Sequence, residues 1–236
     1  ELLAAGIPVE VPASDQPLAA DPALAVFLTG IRLAIAPQSV NYADTESFLT
    51  SPLIGTTALE VRRLLRGLRR ADRVEAEQEG RPVATSQSLL ARLFAPDSAR
   101  VTGVPTDLDP IVTQVLELLD RVQLASDHPD EALWELWTFR GDDEKGGLWA
   151  RALYRQALAG GPQAFAADAA LDAIVELFRI ATRVPAGMNS MRFVEHLAGQ
   201  QLPAARPDDG AFSRDSVRLL TAHRSKGGQW PLVVLV

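Results

Sequence analysis

The chain of 236 residues has no cysteine, so disulfides and thiolate metal sites are excluded from its chemistry. Its three histidines, His128, His196 and His223, are scattered too widely to suggest a ligand cluster, and no metal site is expected. Lysine is almost missing: Lys145 and Lys226 stand alone among 23 basic residues, a skew that a GC-rich genome explains, so arginine abundance alone carries no functional weight. Charges break every apolar run well before the roughly 20 residues of a membrane span. The opening "ELLAAGIPVE" lacks the basic start of a signal peptide, so the expected location is cytoplasmic, with no membrane partner. No G-x-x-x-x-G-K-(S/T) loop occurs, so the phosphate cradle of an ATPase is not encoded here and no catalytic residue is expected. A net charge of −7 argues against whole-chain attraction to nucleic acid; anion binding has to come from local patches.

The hydrophobic fraction of 47% is enough to bury a sizeable core, and most periodic segments are helical. After a short strand in "AGIPVEVP", Asp21-Pro22 opens a helix with Leu24, Phe27, Leu28, Ile31 and Ile35 on one face, ending near Pro37. "TALEVRRLLRGLRRADR" begins with a capping box, Thr57 to Glu60, and sets Val61, Leu64, Leu65 and Leu68 on its apolar face. Asp109-Pro110 opens another helix, carrying Ile111, Val115, Leu118, Leu119 and Val122. Helices also follow in "PDEALWELWTF", in "FAADAALDAIVELFRIATRV" with Ala170, Ile174, Leu177, Phe178 and Ala181 stacked, and in "SMRFVEHLAGQQ". From Ser216 the texture changes: "SVRLLT" reads as a half-buried strand, "AHRSKGG" as a turn or helix start, and "PLVVLV" as a buried parallel strand running to the last residue. The expected fold is mainly α, a helical body with short α/β segments at both ends, as for an insertion in an α/β domain of a larger protein.

Two patches carry binding chemistry. In "TAHRSKG" a strand hands over to a turn bearing Thr221, His223, Arg224 and Lys226, with glycines that let the backbone approach a ligand, a combination suited to phosphate. On the helix after "PLIGTT", Arg62, Arg66, Arg69 and Arg73 form one stripe, with Arg63 and Arg70 beside it, opposite the leucines. That stripe is either a solvated face or an anion-binding one. Trp134, Trp137, Phe139 and Trp149 are expected to pack in the core rather than to stack on bases, "GDDEKGG" to be a solvated loop, His128 to start a helix and His196 to lie on the surface.

The string "VRLLTAHRSKGGQWPLVVLV" closely resembles motif V of UvrD/RecB-type superfamily 1 DNA helicases, roughly V-x-L-(M/L)-T-x-H-x-(A/S)-K-G-L-E-(F/W)-x-x-V. It matches at Val217, Leu219, Leu220, Thr221, His223, Ser225, Lys226, Gly227, Trp230 and Val233. The start resembles the same family, Gly6 to Val9 closing a strand before a helix and "ADTESFLTSPLIG" following with Asp44, Phe48, Pro52 and Gly55. "ALWELW" and "AADAALDAIVELFRIA" look most like actinobacterial AdnA/AdnB-type RecB-like helicase-nucleases. The resemblance implies a helical 2B-type domain over 38–208, between an end segment of RecA-like motor domain 2A at 1–37 and a return into 2A at 209–236. It implies an ATP-dependent helicase or translocase acting in DNA repair or recombination. Thr221, His223, Arg224 and Lys226 would contact single-stranded DNA, while Gly55, Thr56, Arg62, Arg66 and Arg69 would contact duplex DNA. ATP and Mg²⁺ would belong to the parent protein, with no cofactor in this segment, and a second helicase-nuclease subunit is a further implied partner. Gln229 stands where the family carries a glutamate near the nucleotide; its amide can still hydrogen-bond a hydroxyl, but the carboxylate is gone. The alternative is an interaction scaffold that holds a partner subunit without touching DNA.

Overall fold

The computed structural model describes residues 9–10, 21–95, 102–141, 146–199, 217–218, 229 and 232–234. The fold is mainly helical. Nine α-helices appear among these residues: α1 Pro22–Ile35, α2 Tyr42–Thr50, α3 Ala58–Glu79, α4 Ser86–Leu93, α5 Asp109–Leu124, α6 Pro129–Trp137, α7 Leu148–Leu158, α8 Pro162–Ala181 and α9 Ser190–Gly199. Two short strands, β1 Val9–Glu10 and β2 Val217–Arg218, pair in parallel, Val9 opposite Val217 and Glu10 opposite Arg218. Residues about 200 positions apart are thereby neighbours, and all nine helices lie between them in sequence.

Local chemistry accounts for the helix starts. Asp21 caps α1 by accepting from the Ala23 N–H at 2.8 Å, with Pro22 in the first turn. Asn41 caps α2 by accepting from Asp44, and Thr85 caps α4 by accepting from Ser88. The capping box of α3 is complete: Thr57 Oγ1 accepts from the Glu60 N–H at 3.2 Å, and Glu60 accepts from the Thr57 N–H at 2.7 Å. At α5 the expected cap is displaced by one residue, since Asp109 is already helical and Leu108 holds the cap position without a side-chain bond. Leu108 is there because its own side chain is buried in the core.

Helix α1 is the centre of the body. Phe27 and Ile31 are fully buried, and α1 packs against α2, α5, α6, α8 and α9. The boundary expected near residue 37 therefore does not separate α1 from the helical body. Phe27 meets Trp149 at 5.5 Å and Trp137 at 6.3 Å between ring centroids, and Phe139 is buried with them, as expected for a core cluster. Trp134 departs from that expectation. It is 44% exposed and touches Phe178 edge-on at 6.2 Å, because the buried face of α6 is set by Ala132, Leu133 and Leu136 and residue 134 lies beside that face. At the chain's end Leu232, Val233 and Val234 carry no strand and are exposed, against the buried strand expected of "PLVVLV". A continuous apolar strand is stable only when both its faces are covered, and no described element covers these residues.

Gly67 sits in the middle of α3 for a steric reason. A Cβ built there would come within 2.1 Å of the Gly103 carbonyl oxygen, so the 102–105 segment lies directly on the helix backbone. In an exposed helix, Gly→Ala stabilises by roughly 1 kcal/mol. Here Gly67→Ala is expected to destabilise by about 1–3 kcal/mol through overpacking, read as a lower urea midpoint at unchanged slope.

Candidate nucleic-acid interface

The face under the arginine stripe is held by apolar burial. Val61, Leu64, Leu65 and Leu68 are each no more than 6% exposed, whereas Arg62, Arg63, Arg66, Arg69, Arg70 and Arg73 are all exposed on the other side of α3. The stripe from Arg62 to Arg73 runs about 17 Å along the helix at 1.5 Å per residue. Within it Arg62/Arg66, Arg66/Arg70 and Arg69/Arg73 are four apart, and Arg63/Arg66, Arg66/Arg69 and Arg70/Arg73 three apart. Each like-charged pair of that kind costs a helix about 0.2–0.5 kcal/mol, and no carboxylate is interleaved from Val61 to Ala71. A face selected only for solvation and helix stability would alternate charge.

Two members of the set are engaged. Arg63 bridges to Asp107 at 2.9 Å, and the Arg69 guanidinium donates to Ser86 Oγ at the start of α4. Arg66, Arg70 and Arg73 make no ion pair or hydrogen bond among the described residues. Arg62 lies close enough to Tyr42 to act on its phenol together with Arg69. Burial and the neighbouring Glu46, which accepts the phenol's hydrogen bond, nevertheless push Tyr42 above the ordinary tyrosine range. The usable cations are thus Arg62, Arg66, Arg70 and Arg73, with Arg69 tied down at one edge.

The turn that leads into α3 has a defined geometry. Gly55 is exposed with φ +80°, in the left-handed region that favours glycine, and nothing lies within 4 Å of where a Cβ would stand. Its backbone is therefore open to close approach from outside. Its N–H is already committed to Ser51 O at 2.7 Å, and the Thr56 N–H and hydroxyl both donate to Leu49 O. Gly55 and Thr56 consequently shape the entry to α3 rather than present free amide donors. Glu60, whose carboxyl the Thr57 N–H holds below the usual carboxylate range, also occupies this helix start. Beside the turn an open cleft of about 330 Å³ is lined by Glu60, Asp107, Gln114 and Arg140.

At its far end α3 is clasped to the body. Asp72, only 2% exposed, accepts from the Ala84 N–H at 2.7 Å and pairs with Arg81 at 2.8 Å and Arg92 at 2.9 Å. The Ala84 N–H, followed by the two guanidinium groups, holds its carboxyl below the ordinary range against desolvation that pushes it up. Sequence reading missed this clasp. The pattern around Asp72 looks like any charged helix face, and only the return of the chain at 81–92 reveals it.

The second expected patch is placed differently. Thr221, His223, Arg224 and Lys226 lie outside the described residues, as do Asp142 to Lys145 of the "GDDEKGG" loop, whereas Gln229 is described and exposed. His128 precedes α6 at its cap position without a side-chain bond, and His196 is exposed in the last turn of α9. No group of three or more His, Cys, Asp or Glu that could hold a metal ion occurs among the described residues. Among the same residues no helix is long and apolar enough to cross a membrane.

The fold and site define a mainly helical protein with an arginine-lined helix face. No protein-family model matches the chain, and no curated protein is significantly similar to it.

A carboxyl with a lowered folded-state pKa contributes stability that is complete above its unfolded value, near 4, and lost as pH falls through the folded value. Asp72→Asn is expected to cost on the order of 2 kcal/mol at neutral pH, since a charged hydrogen-bond partner is lost. It is also expected to flatten the decline of stability below about pH 4, which urea titrations across pH 2.5–7 measure.

Proposed function

We propose that the chain is the helical 2B-type domain, with flanking pieces of motor domain 2A, of a UvrD/RecB-type superfamily 1 DNA helicase acting in DNA repair or recombination. In this reading the exposed stripe of α3 lies along duplex DNA phosphates, and "TAHRSKG" contacts the single strand through Thr221, His223, Arg224 and Lys226. The observation that carries it is the uncompensated row of like charges on a well-packed helix. A phosphodiester backbone supplies the counter-charge that the protein itself withholds. The parallel pairing of Val9–Glu10 with Val217–Arg218 supports the insertion reading, because neighbouring parallel strands need a crossover between them and the helical body lies at that place.

ATP and Mg²⁺ act in the motor of the parent protein. This chain contains no phosphate-cradling loop for them, so the 236-residue chain alone is expected to have no ATPase activity. The scaffold reading is favoured by a different observation, the exposed Tyr154, Leu158 and Phe165 on α7 and α8, which suit a protein partner.

Duplex binding is expected to be sequence-independent and weak, on the order of 10⁻⁴ to 10⁻⁶ M, with a log–log salt slope of about −0.9 for each phosphate neutralised. Arg62, Arg66 and Arg73 replaced together by Gln is expected to remove most of the binding and to bring the slope close to zero. The helix should remain, since these side chains point away from Leu64, Leu65 and Leu68. Fluorescence anisotropy with a labelled hairpin duplex across a salt series, beside circular dichroism of the variant, provides the measurement. Equal binding by the variant and the parent would sink the stripe as a DNA contact and leave the scaffold reading standing.

A further inference from the structure

Arg140 is the one residue other than glycine with a positive φ among the described residues, at 57°. It follows α6 in a turn where Gly141 stands next to it, and an L side chain in the left-handed region is strained where glycine is free. Strain of this kind persists only where the side chain does something glycine cannot. The Arg140 side chain reaches back 86 positions: one Nη donates to the Ile54 carbonyl at 3.1 Å, while Nε donates to Gln114 Oε1 at 2.9 Å. The guanidinium also lies 5.1 Å from the centre of the Phe139 ring, whose own position is fixed by burial at 4% exposure. Ile54 is the residue immediately before Gly55. One strained arginine thus ties the peptide that opens the left-handed Gly55 turn to both α5 and the end of α6.

We propose that Arg140 is a positioning residue: it presets the Gly55 turn, and with it the direction in which α3 leaves the body, for docking on a nucleic-acid backbone. The proposal rests on the duplex-contact reading above. The residue does not itself count among the phosphate contacts. Its Nε and one Nη are already spent on Gln114 and Ile54, and it lies across the cleft from Glu60 and Asp107 rather than on the stripe. Its effect is to remove backbone freedom from the turn before the ligand arrives, so that binding does not have to order it. Fixing one residue's backbone is worth about a factor of ten in affinity.

Two substitutions in the 236-residue chain separate the possibilities. Arg140→Gly relieves the strain and deletes the clamp, so the two effects on global stability oppose each other. Arg140→Lys keeps the positive charge but replaces the fork with one ammonium, which cannot hold Ile54 and Gln114 in the same geometry. Amide exchange followed by NMR reads the clamp without any ligand. The Gly55 and Thr56 N–H groups are expected to exchange at least about tenfold faster in both variants, with the α1 core amides unchanged. Anisotropy with the hairpin duplex reads the consequence: both variants are expected to bind about tenfold more weakly at every salt concentration, with the parent's slope retained.

Unchanged exchange at Gly55 and Thr56 overturns the proposal regardless of DNA. Faster exchange with unaltered affinity reduces Arg140 to a structural clamp and overturns the positioning role. A slope lowered by about 0.9 in the glycine variant and restored by lysine makes Arg140 a phosphate contact and overturns it as well. If the parent chain binds no duplex, the functional reading fails first and the docking role falls with it, while the exchange data still report whether the clamp exists.

Discussion

Mutual repulsion along α3 is the constraint the rest of this side of the molecule answers. Six arginines between Arg62 and Arg73 leave at least six like-charged pairs at three- and four-residue spacing, a penalty of roughly 1–3 kcal/mol by pairwise values. An isolated peptide of this sequence would be a poor helix. Against that penalty stand Val61, Leu64, Leu65 and Leu68, each contributing about 1.5–3 kcal/mol when fully buried. Burial wins by a wide margin, so α3 is a helix because of what lies beneath it, and its outer face is free to carry an unfavourable charge pattern. The same logic explains why both ends are secured. The Thr57–Glu60 box and the Arg140 clamp define where the helix begins, and the Asp72 clasp holds it near its end.

The elements legible in the sequence were those with two concordant local signals. Asp21-Pro22 with apolar spacing at Leu24, Phe27, Leu28 and Ile31, and Thr57–Glu60 with a leucine face, each combine a cap with a period, and both helices form as expected. Helices α2, α4 and α7 were not singled out. The first two are short, at 9 and 8 residues, and carry too few turns for a period to stand out. The third starts at Gly147 with no side-chain cap. Their stability is tertiary: Phe48, Leu90 and Trp149 are buried by neighbours distant in sequence.

The candidate site divides along the same line. Which residues share the exposed face of α3 follows from helical geometry alone, and the structure keeps Arg62, Arg66, Arg69 and Arg73 together there. Which of them remain available does not follow from it. Ser86 and Asp107 reach Arg69 and Arg63 from segments 17 and 44 positions away. For Gly55 and Thr56 the sequence correctly indicates an exposed turn entering a helix, yet the bonds to Ser51 and Leu49 change its role from donor to hinge point. Those bonds depend on how α2 ends, which no motif in "SPLIGTT" encodes.

Rigidity links these observations. A row of charges binds a polyanion well only if its members cannot rearrange to relieve their own repulsion, because every degree of freedom left to the helix is lost on docking. Segment 102–107 bears on one flank of α3 through Gly67 and the Arg63–Asp107 pair, while α4 bears on the other through Arg69–Ser86 and Asp72–Arg92. Between these two supports Arg62, Arg66, Arg70 and Arg73 project from a backbone that is braced along its length. The interactions that consume arginines on both flanks are therefore part of what keeps the remaining ones in register, and removing a bridge such as Arg63–Asp107 would free a cation while loosening the row that would use it.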